Sequence, residues 1–294
     1  MKHRCACLIT FGLFCFLASP AFGATIYNNL TPNNMMGVAT RPSSTGVFEI
    51  EAADDFFLGS QTLITSASFV GLIVPGSGGA TISDIVAEMY RIFPLDSNTV
   101  RFPHVPTRAN SPSDVALALR DSAMGQLTFT TSVLAPTFTV LNSVQPGGIH
   151  PSPLQTTGGN GPLTGQEVQI TLTFLTPFNL TDSHLFFVPQ VTLTNGAQFY
   201  WLSASRPITG ASGTTPFPVG VTDLQAWTRD DALDPDWLRV GMDIVGGTTP
   251  PTFNMAFSLD GTVVPEPSVN LMVLVGLTLT GIGRFVRRRN SARA

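Results

Sequence analysis

Cysteine is confined to the first fifteen residues of this chain, at Cys5, Cys7 and Cys15. The rest of the chain therefore forms no disulfide bond, offers no thiolate to a metal ion and has no cysteine nucleophile. Lysine is scarcer still, because Lys2 is the only one in 294 residues. Without cross-links, the chain must be stabilised by burial of a core, and about 240 residues suffice for one large β domain or two small ones.

Positive charge is rare between the two ends of the chain. From Ala24 to Val264 there are eight basic and eighteen acidic residues, so this part has a formal charge near −10, against −4 for the whole chain. An acidic surface repels nucleic acid and anionic lipid, which argues against a nucleic-acid partner. The same surface attracts divalent cations, although acidity of this size also keeps a secreted protein soluble.

The first 23 residues have the three parts of a secretory signal peptide. Lys2 and Arg4 form the positively charged start, and residues 8–17 form an apolar core that is too short to span a bilayer. Small residues follow and end at Gly23. We therefore predict cleavage between Gly23 and Ala24, with export of the chain that follows.

The last thirty residues are also arranged in three parts. Pro265-Glu266-Pro267 is a stiff, extended segment, because each proline fixes its own φ and disfavours helix in the residue before it. The apolar run over 269–286 follows, and as a helix it reaches roughly 27 Å, near the lower limit for a bilayer core. Basic side chains close the segment at Arg284, Arg287, Arg288 and Arg289. Since such flanks stay in the cytoplasm, we expect one transmembrane helix with everything before Pro265 outside.

This order of triplet, apolar run and arginine cluster resembles a PEP-CTERM sorting signal, over residues 264–290. Proteins with that signal are exported substrates of exosortase, a membrane-embedded cysteine protease or transpeptidase of Gram-negative bacteria that make exopolysaccharide. The resemblance implies that Pro265, Glu266 and Pro267 are the recognition residues. It also implies a transient stay in the inner membrane, followed by release of the processed protein to the cell surface or the extracellular matrix.

The region between the two ends is rich in Thr, Val, Phe, Gly and Pro, and short apolar or alternating runs recur between turn residues. This pattern predicts an all-β fold, a β-sandwich or jelly roll. The predicted strands are 47–50, 63–74, 82–93, 127–133, 137–141, 168–174, 184–193, 199–203, 224–228, 237–245 and 252–259. Residues 113–121 fit a short helix or a strand equally well. Residues 142–165 and 206–220 are predicted loops because they are rich in Gly and Pro.

The sequence thus divides into a signal peptide (1–23), a β-sandwich ectodomain (24–264) and a sorting and anchor segment (265–294). A second resemblance lies in the ectodomain. The string Ala53-Asp54-Asp55-Phe56 is similar to the opening strand of surface β domains that carry this kind of tail. It implies a jelly roll like that of carbohydrate-binding modules, with Tyr200-Trp201-Leu202 on one of its later strands.

Two groups of carboxylates could bind a cation. Asp230, Asp231, Asp234 and Asp236 lie within seven residues, and Pro235 stiffens the loop that carries them. Carboxylates this close repel one another unless they are solvated or share a hard cation such as Ca²⁺, so this loop is either a calcium site or an exposed acidic turn. The second group is the weaker candidate, because Glu49 and Glu51 share one strand face while Asp54 and Asp55 point to opposite faces.

The three tryptophans, Trp201, Trp227 and Trp237, lie within 37 residues. A large ring in an apolar strand normally belongs to the core, whereas an exposed ring stacks on sugar faces. Trp227 and Trp237 flank the aspartate loop and are therefore the candidates for exposed, ligand-binding rings.

Little in the sequence supports catalysis. The histidines after the signal peptide (His104, His150 and His184) are far apart, and the common hydrolase and phosphate-binding motifs do not occur. The sequence therefore favours a non-catalytic surface or matrix protein linked to exopolysaccharide. A carbohydrate-binding module, with or without Ca²⁺, is the alternative. A matrix glycoside hydrolase would require two carboxylates about 5–10 Å apart in a cleft.

Overall fold

The structure, a computed structural model, describes residues 23–44, 46–97, 110–150, 156–181, 184–205, 224–230, 232 and 237–265. Within them the strands are β1 Ala24–Asn28, β2 Pro32–Ala39, β3 Ile50–Phe57, β4 Thr62–Val74, β5 Ile82–Arg91, β6 Ala118–Asp121, β7 Leu127–Val140, β8 Asn142–Val144, β9 Leu163–Leu180, β10 His184–Leu193, β11 Gln198–Ala204, β12 Trp227–Asp230, β13 Leu238–Arg239, β14 Asn254–Met255 and β15 Phe257–Val263. A short 3₁₀ helix (Pro146–Gly148) and a π-helical turn (Val240–Val245) complete the described elements.

The strands form two sheets, one of nine strands and one of six. In the larger sheet, β4 pairs with β9 on one side and with β15 and β11 on the other. Strand β7 pairs with β9. The smaller sheet has the order β13-β12-β3-β10-β5-β6. Strand pairing is antiparallel throughout both sheets except between β2 and β8. The prediction of an all-β fold is therefore confirmed.

One core lies between the two sheets, and aromatic rings fill its centre. The ring of Phe257 on β15 stacks on Tyr27 of β1 at 4.4 Å and on Phe187 of β10 at 5.4 Å. Trp201 packs edge-on against Phe257 and donates its indole N–H to the carbonyl of Ala256 at 3.0 Å. Each large apolar side chain buried in this way stabilises the fold by roughly 2–3 kcal/mol.

Strand β3 shows how the alternation of side chains builds two faces. Ile50, Ala52 and Phe56 belong to the core between the sheets. Successive side chains of a strand point to opposite faces, so Glu51 and Ala53 lie on the other, outer face of the smaller sheet. We call this the outer face below.

The outer face carries a small hydrophobic cluster of its own, formed by Ala53, Tyr90, Phe186, Val188, Trp227 and Trp237. Residues 113–116 lie over it. Ala116 packs against the cluster, the indole N–H of Trp237 donates to the carbonyl of Ser113 at 2.9 Å, and Arg229 donates to the carbonyl of Asp114 at 3.0 Å. The covering segment shields the middle of this face from solvent.

Several element predictions change in the structure. Residues 113–121 form no helix, since 118–121 are strand β6. The predicted strand 237–245 is wrong beyond Arg239, because the carboxylate of Asp243 accepts both the backbone N–H and the side chain of Arg239, which closes a helical turn. Residues 127–140 form one strand where two were predicted, and β1 and β2 were not predicted at all. The predicted loop 142–165 contains β8, the 3₁₀ helix and the start of β9, and the predicted loop 206–220 lies outside the described residues.

No helix among the described residues has the length and apolar character needed to cross a membrane. The predicted span, residues 269–286, and the predicted signal peptide up to Phe22 both lie outside them.

Candidate functional site

The structure describes only some of the residues that the sequence singles out. Ala24, after the predicted cleavage site at Gly23, is the first residue of β1. Pro265 is exposed and follows the last strand. The other predicted sorting and membrane residues lie outside the described residues: Glu266, Pro267, Arg284, Arg287, Arg288 and Arg289.

The predicted calcium loop is described at one of its four aspartates. Asp230 is half-buried at the end of β12, and its carboxylate accepts the backbone N–H of Ala232 at 3.0 Å. Asp231, Asp234 and Asp236 lie outside the described residues. Calcium binding at this loop stays a prediction.

The prediction that Trp227 and Trp237 are exposed, ligand-binding rings is wrong, because both side chains are 0% exposed. Trp237 packs edge-on against Tyr90, with ring centroids 5.7 Å apart, beneath the covering segment. Trp227 lies opposite Ala53 of β3, where the small alanine side chain leaves room for the indole ring. Both rings belong to the outer-face cluster and offer no surface on which a sugar could stack.

A network of buried charged groups lies beside these rings. Arg229 of β12 is paired in register with Glu51 of β3, and its guanidinium donates to the Glu51 carboxylate. The same guanidinium donates to the hydroxyl oxygen of Tyr90 at 3.0 Å and lies 4.6 Å from the ring centroid of Trp237. The cation is thus held by a carboxylate, a hydroxyl and an aromatic face, as arginine is when it is removed from water.

Two further glutamates extend this network. The Tyr90 hydroxyl lies 2.7 Å from Glu51 Oε1 and 3.2 Å from Glu88 Oε2, so it donates to one of these oxygens at a time. Gln190 donates from Nε2 to Glu49 Oε1 at 2.6 Å. One oxygen of each of Glu49, Glu51 and Glu88 lies within 4.8 Å of the others. We call these three residues the glutamate cluster.

The charges of the glutamate cluster do not balance. Among the described residues, three carboxylates lie beside one guanidinium, that of Arg229, and Glu51 and Glu88 are 0% and 7% exposed. Burial, followed by repulsion from Glu51 and Glu49, raises the pKa of Glu88 to about 9. Burial and the charge of Glu51 raise the pKa of Tyr90 as well, so this residue acts as a neutral hydroxyl. Excess negative charge in the cluster must be neutralised by a bound proton or by another cation.

A histidine lies nearer the other end of β3. His184 Nε2 is 3.1 Å from Asp55 Oδ2, and the imidazole stacks on the ring of Phe57 at 4.3 Å. Burial lowers the pKa of His184 to about 4, so the ring is neutral at physiological pH. A neutral imidazole with its proton on Nε2 donates to Asp55 and leaves Nδ1 as an acceptor.

Asp54 has a different environment from its neighbours because it faces the core. Its Oδ2 accepts the backbone N–H of Met255 at 2.7 Å, which joins β3 of the smaller sheet to β14 of the larger one. Burial and the charge of Asp55 raise the pKa of Asp54 well above its ordinary value. The expectation that Asp54 and Asp55 point to opposite faces is confirmed, and it gives them separate structural roles.

Sequence reasoning identified only part of the glutamate cluster. It placed Glu49 and Glu51 on one face, and the structure confirms this. It missed Glu88, Tyr90, Gln190 and Arg229, because they come from strands that are distant in sequence. The available signal was a charged or amide side chain with apolar neighbours on both sides, as at Glu88 in β5 and Gln190 in β10.

Comparisons of this chain with protein families, with curated proteins and with solved structures find no match in any of the three. Any functional assignment therefore depends on the residues of the chain itself.

Proposed function

We propose that this protein is an exported, non-catalytic component of the cell surface or the extracellular matrix. In this proposal a β-sandwich ectodomain of the jelly-roll kind, residues 24–264, is delivered by a signal peptide and held by a C-terminal transmembrane helix. Exosortase then processes it at the PEP-CTERM-like tail, and the ectodomain interacts with exopolysaccharide. The observation that carries the proposal is the order of Pro265-Glu266-Pro267, apolar run and arginine cluster at the C-terminus.

The ends of the folded region support this proposal. The first strand begins at Ala24 and the last one ends at Val263, next to the predicted cleavage site and the predicted sorting triplet. These two strands pair with each other, with Ala24 opposite Gly261. The described strands therefore pair without either predicted targeting segment, and both segments would join them at the same edge of the larger sheet.

The geometry of the carboxylates supports a non-catalytic role. A retaining glycoside hydrolase holds its two carboxyl groups about 5–5.5 Å apart on either side of a bound sugar. Glu51 and Glu88 are instead bridged by one hydroxyl group, and Glu51 is also bound to Arg229. Both are almost entirely buried. The carbohydrate-binding alternative loses the exposed Trp227 and Trp237 on which it relied.

The test is the fate of the protein in cells with and without exosortase. We expect the unaltered chain to be shortened and to reach the surface or the medium only where exosortase is present. A variant with Glu266→Ala, or one lacking residues 265–294, should lose this processing. Glu167→Gln, a change in strand β9 of the ectodomain, is the matched control and should be processed normally.

Fractionation and immunoblotting measure both the size and the location of each product. If the Glu266→Ala chain, or the unaltered chain in cells without exosortase, reaches the same fraction at the same processed size, the sorting proposal is incorrect.

A further inference from the structure

The glutamate cluster has the composition of a hard-cation site. We propose that Glu49, Glu51 and Glu88, together with the side-chain oxygen of Gln190, bind one Ca²⁺ ion on the outer face of the smaller sheet. None of these four residues belongs to the predicted aspartate loop, and the proposal does not depend on the sorting proposal.

The spacing of the carboxylates fits one ion. Ca²⁺ binds oxygen ligands at about 2.4 Å, so two ligands on opposite sides of the ion are separated by about 4.8 Å at most. One oxygen from each of the three glutamates lies within 4.8 Å of the others. Three oxygens at this spacing are close enough to share one ion after small movements of their side chains.

Gln190 is an independent indication of a ligand. Its side chain is 1% exposed, and its amide nitrogen holds it against Glu49. Its Oε1 is buried and has no hydrogen-bond partner within the described part of the chain. A buried carbonyl oxygen without a partner costs about 1–3 kcal/mol, and coordination of a cation removes this cost. Side-chain amide oxygens are ordinary ligands of Ca²⁺.

The charge balance also favours a divalent ion. Three ionised carboxylates and the Arg229 guanidinium leave two negative charges in excess, and Ca²⁺ neutralises both. Arg229 and the Tyr90 hydroxyl already fix the orientation of Glu51, so they act as positioning residues for a metal ligand.

The ligand types select calcium among the common metal ions. All the donors are oxygen atoms, which excludes a preference for zinc or copper. Mg²⁺ requires near-octahedral geometry and usually retains several waters on one or two carboxylates, whereas Ca²⁺ accepts three carboxylates and an amide in a flexible arrangement. Glu49 is only half-buried, and its side of the cluster provides the route for the ion and for completing waters.

Terbium luminescence provides the test. Tb³⁺ replaces Ca²⁺ at oxygen sites, and the rings of Tyr90 and Trp237 next to the cluster would sensitise its emission. With the full-length protein in detergent, we expect saturable emission that Ca²⁺ displaces. Glu88→Gln and Glu49→Gln should each weaken binding about tenfold or more. Glu49 is only half-buried and lies just before β3, so its variant should fold and still tests the site if Glu88→Gln fails to fold.

Two controls separate this site from other sources of emission. Glu167 lies on the larger sheet and, like Glu88, is 7% exposed. The Glu167→Gln variant should therefore leave Tb³⁺ binding unchanged. Asp230→Asn tests the aspartate loop and should also leave it unchanged. The proposal is overturned if no emission is displaced by Ca²⁺, if both cluster variants bind like the unaltered protein, or if binding is lost in Asp230→Asn and retained in Glu88→Gln.

Discussion

Single charged residues decide the chemistry of the outer face, because water is excluded there. Exposed ion pairs contribute little to stability, whereas removal of one partner from a buried pair leaves a charge without compensation. Both kinds of pair occur in this protein. Arg229 and Glu51 are buried, and Arg91 and Asp96 form a pair whose side chains are each 26% exposed.

Replacement of Arg229 by methionine should therefore destabilise the protein strongly. Glu51 would keep its buried position and lose its counter-charge, at a cost of about 3–5 kcal/mol in the free energy of unfolding. Denaturant unfolding followed by tryptophan fluorescence measures this change. The matched control is Arg91→Met, which should cost less than about 1 kcal/mol. Equal losses in the two variants would contradict the electrostatic role assigned to Arg229.

Protonation of His184 should make the protein less stable in mild acid. Its pKa of about 4 in the fold is below the ordinary value of 6.5 in the unfolded chain. The unfolded chain thus binds more protons between these two values, so the contribution of His184 to stability is complete above pH 6.5 and is lost as the pH falls towards 4. The difference corresponds to about 3 kcal/mol.

Chemical denaturation at several pH values measures this loss, and ¹H–¹⁵N NMR of the imidazole measures the pKa itself. A His184→Gln variant should have a flatter profile between pH 6.5 and 4. An imidazole that titrates near 6.5 in the folded protein would contradict the burial argument.

At the scale of single elements, the alternation of side chains predicts the sheet face on which a residue lies better than it predicts the residues that it contacts. The period of two over β3 and the residue before it correctly assigned Glu49 and Glu51 to one face and separated Asp54 from Asp55. The same period failed over 237–245, because the contacts between Asp243 and Arg239 stabilise a helical turn that alternation does not indicate. In this segment the contacts of one side chain with a nearby backbone N–H override the local pattern.

The partners of the glutamate cluster could not be predicted, for a physical reason. Glu51 and Arg229 are 178 residues apart, and Glu49 and Gln190 are 141 residues apart. Their contact depends on the order of β12, β3, β10 and β5 in the sheet. Many strand orders are compatible with the same series of apolar runs, so a single sequence predicts the strands and the all-β class but not which charged residues become neighbours.

At the scale of the whole molecule, the first and last described strands, β1 and β15, pair with each other in the larger sheet. β15 pairs with β1 on one side and with β4 on the other, and Phe257 on β15 contacts rings from both sheets. The main-chain pairing of β15 continues to the end of the folded region, where the N–H of Val264 donates to the carbonyl of Gln61 at 2.8 Å. Main-chain pairing among the described residues therefore extends to Val264, which is where the sequence predicts the boundary between ectodomain and tail.

Two truncations test this boundary. Residues 24–264 should melt cooperatively at nearly the same temperature as the full chain, because they keep every described strand. Residues 24–256 lack β15 and should not fold. Replacing one buried phenylalanine by alanine already costs about 3–5 kcal/mol, and the loss of β15 adds the pairing with β1 and β4, against a total stability of about 5–15 kcal/mol.

Circular dichroism during heating distinguishes the outcomes. A cooperative transition in residues 24–256 would show that β15 is dispensable and that the core closes without Phe257. Failure of residues 24–264 to fold would show that the tail contributes to the stability of the ectodomain. In that case exosortase could not remove the tail without unfolding the protein it releases, so the folding of this fragment is a physical requirement of the sorting proposal.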